Sequence, residues 1–234
     1  IWTAVLIFQS YSSFFGFGIV NGMNRELPLN LGRGKITLAR GYASNALFFV
    51  ILQSVFYILV AVIIMTYFSP SYFYRLSIFA LLIKIVINTL SSYFEGTFRS
   101  NSDFNKLSKV IWISTFSRLL LSPLILLGFE GFIAYMILYD LVKCLFLFIW
   151  RPYRVRPELN WKLMKNLFKV GFPLFIATYL GGLINTVPTL FILKFGSVFM
   201  LGLMAPVVMM LGVFEQLVAT FTSYVYPRFT YRLG

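Results

Sequence analysis

Seven runs of about 20 apolar residues dominate this sequence: Ile1–Val20, Ala46–Tyr67, Leu76–Phe98, Val110–Leu127, Phe132–Trp150, Val170–Leu193 and Phe199–Tyr226. A run of that length crosses the roughly 30 Å hydrocarbon layer as an α-helix, at about 1.5 Å per residue. The runs are too long, and alternate too little, to be strands of a membrane β-barrel. The sequence therefore predicts an all-α integral membrane protein of about seven transmembrane helices. Composition agrees: only 12% of the residues are charged, where a soluble domain carries about a quarter. Lipid is the solvent that removes the need for a charged surface.

The charges that remain are placed unevenly. Arg25, Arg33, Lys35 and Arg40 follow the first run, and Arg99, Lys106 and Lys109 follow the third. Arg151, Arg154, Arg156, Lys162, Lys165 and Lys169 follow the fifth, and Arg228 and Arg232 the last. These 15 cations fall on one side of the membrane, against Arg75 and Lys194 on the other. Positive connections stay cytoplasmic, which puts Ile1 outside and Gly234 inside. The net charge of +13 is then a signal of topology, and no nucleic-acid partner is implied.

The longest connection, residues 151–169, holds Pro152 and Pro157 followed by an amphipathic stretch. There Trp161, Met164 and Phe168 share one helical face, and Lys162, Lys165 and Lys169 share the next. That pattern predicts a short helix lying on the inner membrane surface and marks a lobe boundary. The expected organisation is five helices over residues 1–150, a cytoplasmic amphipathic linker over 151–169, and two helices over 170–234.

Soluble-enzyme chemistry finds no purchase. There is no histidine and a single cysteine, Cys144, so neither an imidazole base nor a thiolate metal cluster is on offer. Gly32-Arg33-Gly34-Lys35 ends like a phosphate loop, but the earlier glycine is replaced by Leu29 and the stretch follows an apolar run where a strand belongs. The expectation is a non-enzyme without cofactor or metal.

Ionisable residues inside the runs are the features that ask for a role. Lys84, Arg118, Asp140, Lys143 and Glu215 stand near the middle of theirs, and Glu95 nearer the inner end. Each costs a few kcal/mol at the bilayer centre unless it faces protein or water. Asp140 and Lys143, three apart on one helix, are spaced to neutralise each other, either as a structural pair or as a functional one. Lys84, Arg118 and Glu215 have no partner on their own helix; they pair between helices or line a hydrophilic pathway. Three cations against two mid-span carboxylates favour an anionic passenger. Lys84, Arg118 and Lys143 are therefore candidate pathway residues, with Asp140 and Glu215 candidates for ion coupling. Pro123, Pro188 and Pro206 are candidate helix breaks.

Three stretches resemble the polysaccharide and O-antigen flippase branch of the multidrug/oligosaccharidyl-lipid/polysaccharide exporter superfamily. The first runs Gly18-Ile19-Val20-Asn21-Gly22-Met23-Asn24-Arg25-Glu26-Leu27-Pro28 and on to Leu31-Gly32-Arg33-Gly34-Lys35. It is similar to the family's first cytoplasmic loop, with Asn24, Arg25, Glu26 and Pro28 as its motif. The second is Lys169-Val170-Gly171-Phe172-Pro173-Leu174, which looks like the start of the second lobe. The third extends from Gly196 and Gly202 to Tyr226-Pro227-Arg228. The resemblance implies an internal piece of a two-lobe exporter, with a pseudo-twofold repeat of about 200 residues relating the first run to the last. It also implies a multi-pass protein of a bacterial inner membrane that flips a polyprenyl-pyrophosphate-linked oligosaccharide by alternating access. Its implied neighbours are membrane lipids and other glycan-assembly membrane proteins. A small-solute exporter of the same superfamily is the alternative, ahead of a membrane-embedded glycan polymerase or glycosyltransferase.

Overall fold

The structure, a computed structural model, describes residues 13–67, 72–195 and 198–233. Seven α-helices and no strand are found among them. They are α1 (Ile19–Gly32), α2 (Ile36–Tyr67), α3 (Tyr72–Ser100), α4 (Phe104–Leu121), α5 (Phe129–Ile149), α6 (Trp161–Phe195) and α7 (Val198–Leu233). The protein is an all-α membrane protein. Among the described residues, four segments are long and apolar enough to cross a bilayer: Ile36–Val60, Leu76–Ser100, Phe104–Leu127 and Phe129–Ile149. Most of the first expected span, Ile1–Val20, lies outside the described residues.

Helix α1 corrects the expected cytoplasmic loop. Asn24-Arg25-Glu26-Leu27-Pro28 is not a turn but the middle of a helix. The buried positions Ile19, Gly22, Met23, Glu26, Leu27 and Asn30 recur at three- and four-residue steps, the spacing of one helical face. That face is enclosed by α2, α3, α6 and α7, and this packing outweighs the poor helix propensity of the segment. Pro28 has no N–H, so the Asn24 carbonyl loses its donor four residues on. The Asn30 amide is turned inward to the Glu26 carbonyl at 2.7 Å.

The glycine-rich Gly32-Arg33-Gly34-Lys35 run is a helix stop. Gly34 has φ +70; its N–H donates to the Leu31 carbonyl at 3.0 Å and that of Lys35 to Asn30 at 2.9 Å. This pair of bonds closes α1 with a left-handed residue that glycine adopts without strain. Two glycines set how closely helices approach. A Cβ on Gly18 would strike the Gly171 carbonyl, and one on Gly171 the Gly18 carbonyl. With Gly22, these positions let α1 and α6 meet backbone to backbone, as small residues do in membrane helix pairs.

Pro123 does break its helix. Helix α4 gives way at Ser122 to a 3-10 turn running to Leu127. The Leu119 carbonyl, which the missing Pro123 N–H would have served, accepts instead from the Ser122 backbone N–H and, at 2.7 Å, from the Ser122 hydroxyl. A carbonyl left open within a span costs free energy, and a tightened turn with a neighbouring hydroxyl avoids that cost. Pro188 and Pro206 lie inside α6 and α7 without ending them.

The expected surface helix at 161–169 is not separate from the span that follows. Residues 151–160 are extended, and α6 then runs unbroken from Trp161. Asn160 caps it, its Oδ1 accepting from the N–H groups of Lys162 at 3.1 Å and Leu163 at 3.4 Å, as an N-cap side chain does. Met164 and Leu167 are buried in the core, while Trp161 is exposed. The amphipathic pattern thus serves interior packing. The extended segment is strapped to the bundle at three points. Tyr153 donates to Asn101 Oδ1 at 2.8 Å, the Asn160 N–H to Asn45 Oδ1 at 2.7 Å, and the Ser44 hydroxyl to the Arg156 carbonyl.

These ties, with the Phe104–Tyr224 ring contact at 4.8 Å, bring the start of α2, the α3–α4 connection, the strap and the end of α7 to one end of the bundle. The basic connections are therefore gathered on one side, as the alternation of charge requires.

Candidate functional site

Between α3, α4 and α5, the span charges form one cluster. Lys84 Nζ lies 3.4 Å from Asp140 Oδ2, both side chains nearly buried. About three helix turns further along α3 toward the basic end, Glu95 takes two cations, Lys143 Nζ at 2.7 Å and Arg99 Nη2 at 2.7 Å. Asp140 also feels the charges of Lys143 and Arg118. The i,i+3 pairing expected of Asp140 and Lys143 is replaced by cross-helix partners. The 3.4 Å separation leaves Asp140 Oδ2 without a well-formed hydrogen bond, so this pair is looser than the one at Glu95. Four cations against two carboxylates leave the cluster formally two charges positive.

Arg118 stands apart in its surroundings. Its side chain is exposed, its Nε donates to the Tyr135 hydroxyl at 3.0 Å, and its guanidinium lies 5.2 Å from the centre of the Tyr139 ring. Lys84 and Arg118 do not open on a common interior. The tyrosines Tyr93 and Tyr135 are engaged with protein: Tyr93 donates to the Ala43 carbonyl at 3.0 Å.

A cavity of about 630 Å³ opens between α1, α3 and α7. Its wall is mainly apolar, with Phe214, Val218 and Tyr226 from α7, and polar groups converge on it: Asn24 from α1, Arg99 and Ser100 from α3, Glu215 and Ser223 from α7. Asn24 Oδ1 and Ser100 Oγ are buried with no hydrogen-bond partner. Buried polar groups are almost always satisfied, so these two atoms ask for a polar occupant. An apolar wall with a few convergent polar groups is the usual build of a ligand pocket. Arg99 joins the two regions: it lines the cavity while bonded to Glu95, and through Glu95 is tied to Lys143.

Fold and cavity agree with one further observation. Residues 32–231 match the family described as polysaccharide biosynthesis protein. The chain belongs to that family. No curated protein matches it, and no solved structure does. The match runs from the end of α1 through α2 to the last turn of α7, so cluster and cavity both fall almost wholly inside the family region. As a membrane member of a polysaccharide biosynthesis family, the protein has a role in making or exporting polysaccharide.

Of the residues expected from sequence, Asn24 and Glu215 line the cavity, while Lys84, Lys143 and Asp140 lie in the ion-pair cluster. From the loop motif, Arg25 is exposed and Glu26 and Pro28 are buried in α1. The sequence marks Glu95 only as an ionisable residue near the inner end of its run and Arg99 only as a flanking cation, and nothing in it points to Ser100. The Glu95–Arg99 spacing of four on one helix was a readable signal; the Lys143 contact was not, because it depends on how two helices are rotated.

Proposed function

We propose that this protein carries a polyprenyl-pyrophosphate-linked oligosaccharide from the cytoplasmic to the outer leaflet of a bacterial inner membrane, by alternating access, without making or breaking a bond in it. The observation that carries the reading is the cavity between α1, α3 and α7. It opens near the end where the basic connections gather, the cytoplasmic end by the positive-inside rule. It offers one guanidinium, one carboxylate, two unsatisfied polar atoms and two aromatic rings, Phe214 and Tyr226. A phosphorylated sugar presents anionic oxygens, hydroxyls and an apolar ring face, and those groups answer it. The positive cluster behind Arg99 offsets part of the hydration that an entering anion loses.

In this reading Arg99 contacts the anionic group, and Lys84 and Lys143 supply the positive background. Glu215, on the α7 wall, is placed to couple movement to an ion, with Asp140 as the second candidate. The lobes at 1–150 and 170–234 move about the Gly18–Gly171 crossing, since the strap at 151–160 is tied to the first lobe.

The test uses the full-length protein in cells, with surface polysaccharide and membrane abundance measured side by side. Arg99→Gln is expected to abolish surface polysaccharide at near-normal abundance. Arg99→Lys is expected to keep part of it, since lysine retains the charge but loses the planar fork. Normal surface polysaccharide with Arg99→Gln would overturn the assignment. Intact polysaccharide together with lost drug resistance would point to the small-solute exporter instead.

A further inference from the structure

Arg118 presents a problem of its own. It sits 14 residues into α4, which starts at Phe104, so it lies about 20 Å from the basic end, well within the apolar span Phe104–Leu127. Yet its side chain is exposed, and no carboxylate lies within ion-pair distance of it among the described residues. Its guanidinium has five N–H donors. One is used by Tyr135, and the Tyr139 face takes up some of the charge. The other four donors meet no acceptor among the described residues.

The exposed surface around it is otherwise apolar: Trp112, Phe116, Leu119 and Leu120 on α4, Leu138 and Leu141 on α5. A cation facing hydrocarbon alone costs several kcal/mol, and membrane proteins meet that cost with a counter-charge or with water. Among the described residues no carboxylate touches Arg118: Asp140, whose charge it feels from a distance, is engaged with Lys84. A lipid can supply the counter-charge: its phosphate brings anionic oxygens in the geometry a guanidinium fork accepts, and its acyl chains match the leucine and aromatic surface on either side. The two tyrosines fix where the fork points. Tyr135 is almost buried and its hydroxyl holds Nε, which turns the terminal amino groups outward.

We infer that the groove between α4 and α5 is a lateral binding site for an anionic phospholipid, whose headgroup phosphate is held by Arg118 in the leaflet remote from the basic end. The site is separate from the cavity at Arg99 and does not depend on the transport reading. Positioned by Tyr135 and Tyr139, Arg118 selects a lipid of net negative charge over a zwitterionic one. In a zwitterionic lipid an internal ammonium already neutralises the phosphate.

The experiment is native mass spectrometry of the purified full-length protein, released from micelles containing phosphatidylglycerol and phosphatidylcholine in equal amounts. Wild type is expected to retain phosphatidylglycerol in preference. Arg118→Gln should reduce that retention roughly tenfold, the loss of a charge-assisted contact. Arg118→Lys should reduce it less, because charge remains and the fork is gone. Tyr135→Phe, which leaves the packing of α5 intact, should weaken retention and so reports on the site even if Arg118→Gln folds poorly. Equal retention of the two lipids by wild type overturns the inference, and so does unchanged retention in both Arg118→Gln and Tyr135→Phe. Displacement of the lipid by inorganic phosphate would show a free-anion site and overturn it as well.

Discussion

Lys84 and Arg118 are both cations set inside apolar spans, and the protein treats them in opposite ways. Lys84 is enclosed by α3 and α5, 3.4 Å from Asp140, with about a tenth of its side chain exposed. Arg118, on the outer face of α4, has a tyrosine hydroxyl and a ring for company and no carboxylate in contact. The difference follows from what can reach each group. No ion or lipid reaches a side chain held between helices, so its counter-charge has to come from the chain. At the membrane-facing surface the bilayer itself can provide one. Burial thus grades how much each charge depends on its protein partner, and that grading can be tested.

The largest effect is expected at the most enclosed pair. Asp140→Ala leaves Lys84 without a carboxylate in contact, and breaking a buried pair from one side costs about 3–5 kcal/mol. Thermal unfolding of the purified protein should show it, along with reduced abundance in membranes. Replacing both partners by apolar residues, Lys84→Met with Asp140→Leu, should recover most of the loss, because no lone charge remains. A single Asp140→Ala variant as stable as wild type would break the contrast. The next effect is at Glu95. It holds two cations at 2.7 Å, but Arg99 is about a third exposed and Lys143 about a quarter. Glu95→Gln should therefore cost less, roughly 1–2 kcal/mol after screening. A cost equal to that of Asp140→Ala would mean that exposure does not set the scale.

How much of this could be read from the chain divides along the same line. The apolar runs were legible because span length is a property of one segment, and α3 and α5 fall close to where the runs place them. The missing N–H of a proline marks Pro123, Pro188 and Pro206 alike, and only at Pro123 does the helix end, so that signal names candidates without choosing among them. Helix α1 was not legible: Asn24, Pro28 and Asn30 all disfavour helix, and what overrides them is packing by four other helices. Its one readable trace was the four-residue recurrence of Ile19, Met23 and Leu27. The choice between a surface helix and a continued span at Trp161–Lys169 turned on Asn160, whose capping role becomes visible only once Asn45 holds its backbone N–H. Cross-helix pairing was the least legible. Lys143 could meet Asp140 or Glu95 by sequence, and the rotation of α5 against α3 decides between them.

The smallest effect lies outside the membrane, where the same rule can be read by titration. Tyr153, on the strap, is half-buried, and its phenol is pushed up to about 12 from an ordinary value of about 10. Burial is the main cause and the nearby Asp103 carboxylate adds to it, with Arg40 opposing. Both raising influences penalise phenolate in the folded state. The sign follows: the unfolded chain loses this proton first, so the contribution to stability is complete below pH 10 and is lost as the pH climbs toward 12. At neutral pH, Tyr153→Phe removes one hydrogen bond, to Asn101 at the surface, and should cost a few tenths of a kcal/mol. The informative measurement is the absorbance of phenolate across that range, wild type minus Tyr153→Phe, in protein kept folded. A difference curve with its midpoint near 12 places Tyr153 between the enclosed Lys84 and the open Arg118. A midpoint near 10 would mean that the strap is solvated and that its three ties to the bundle do not hold it down.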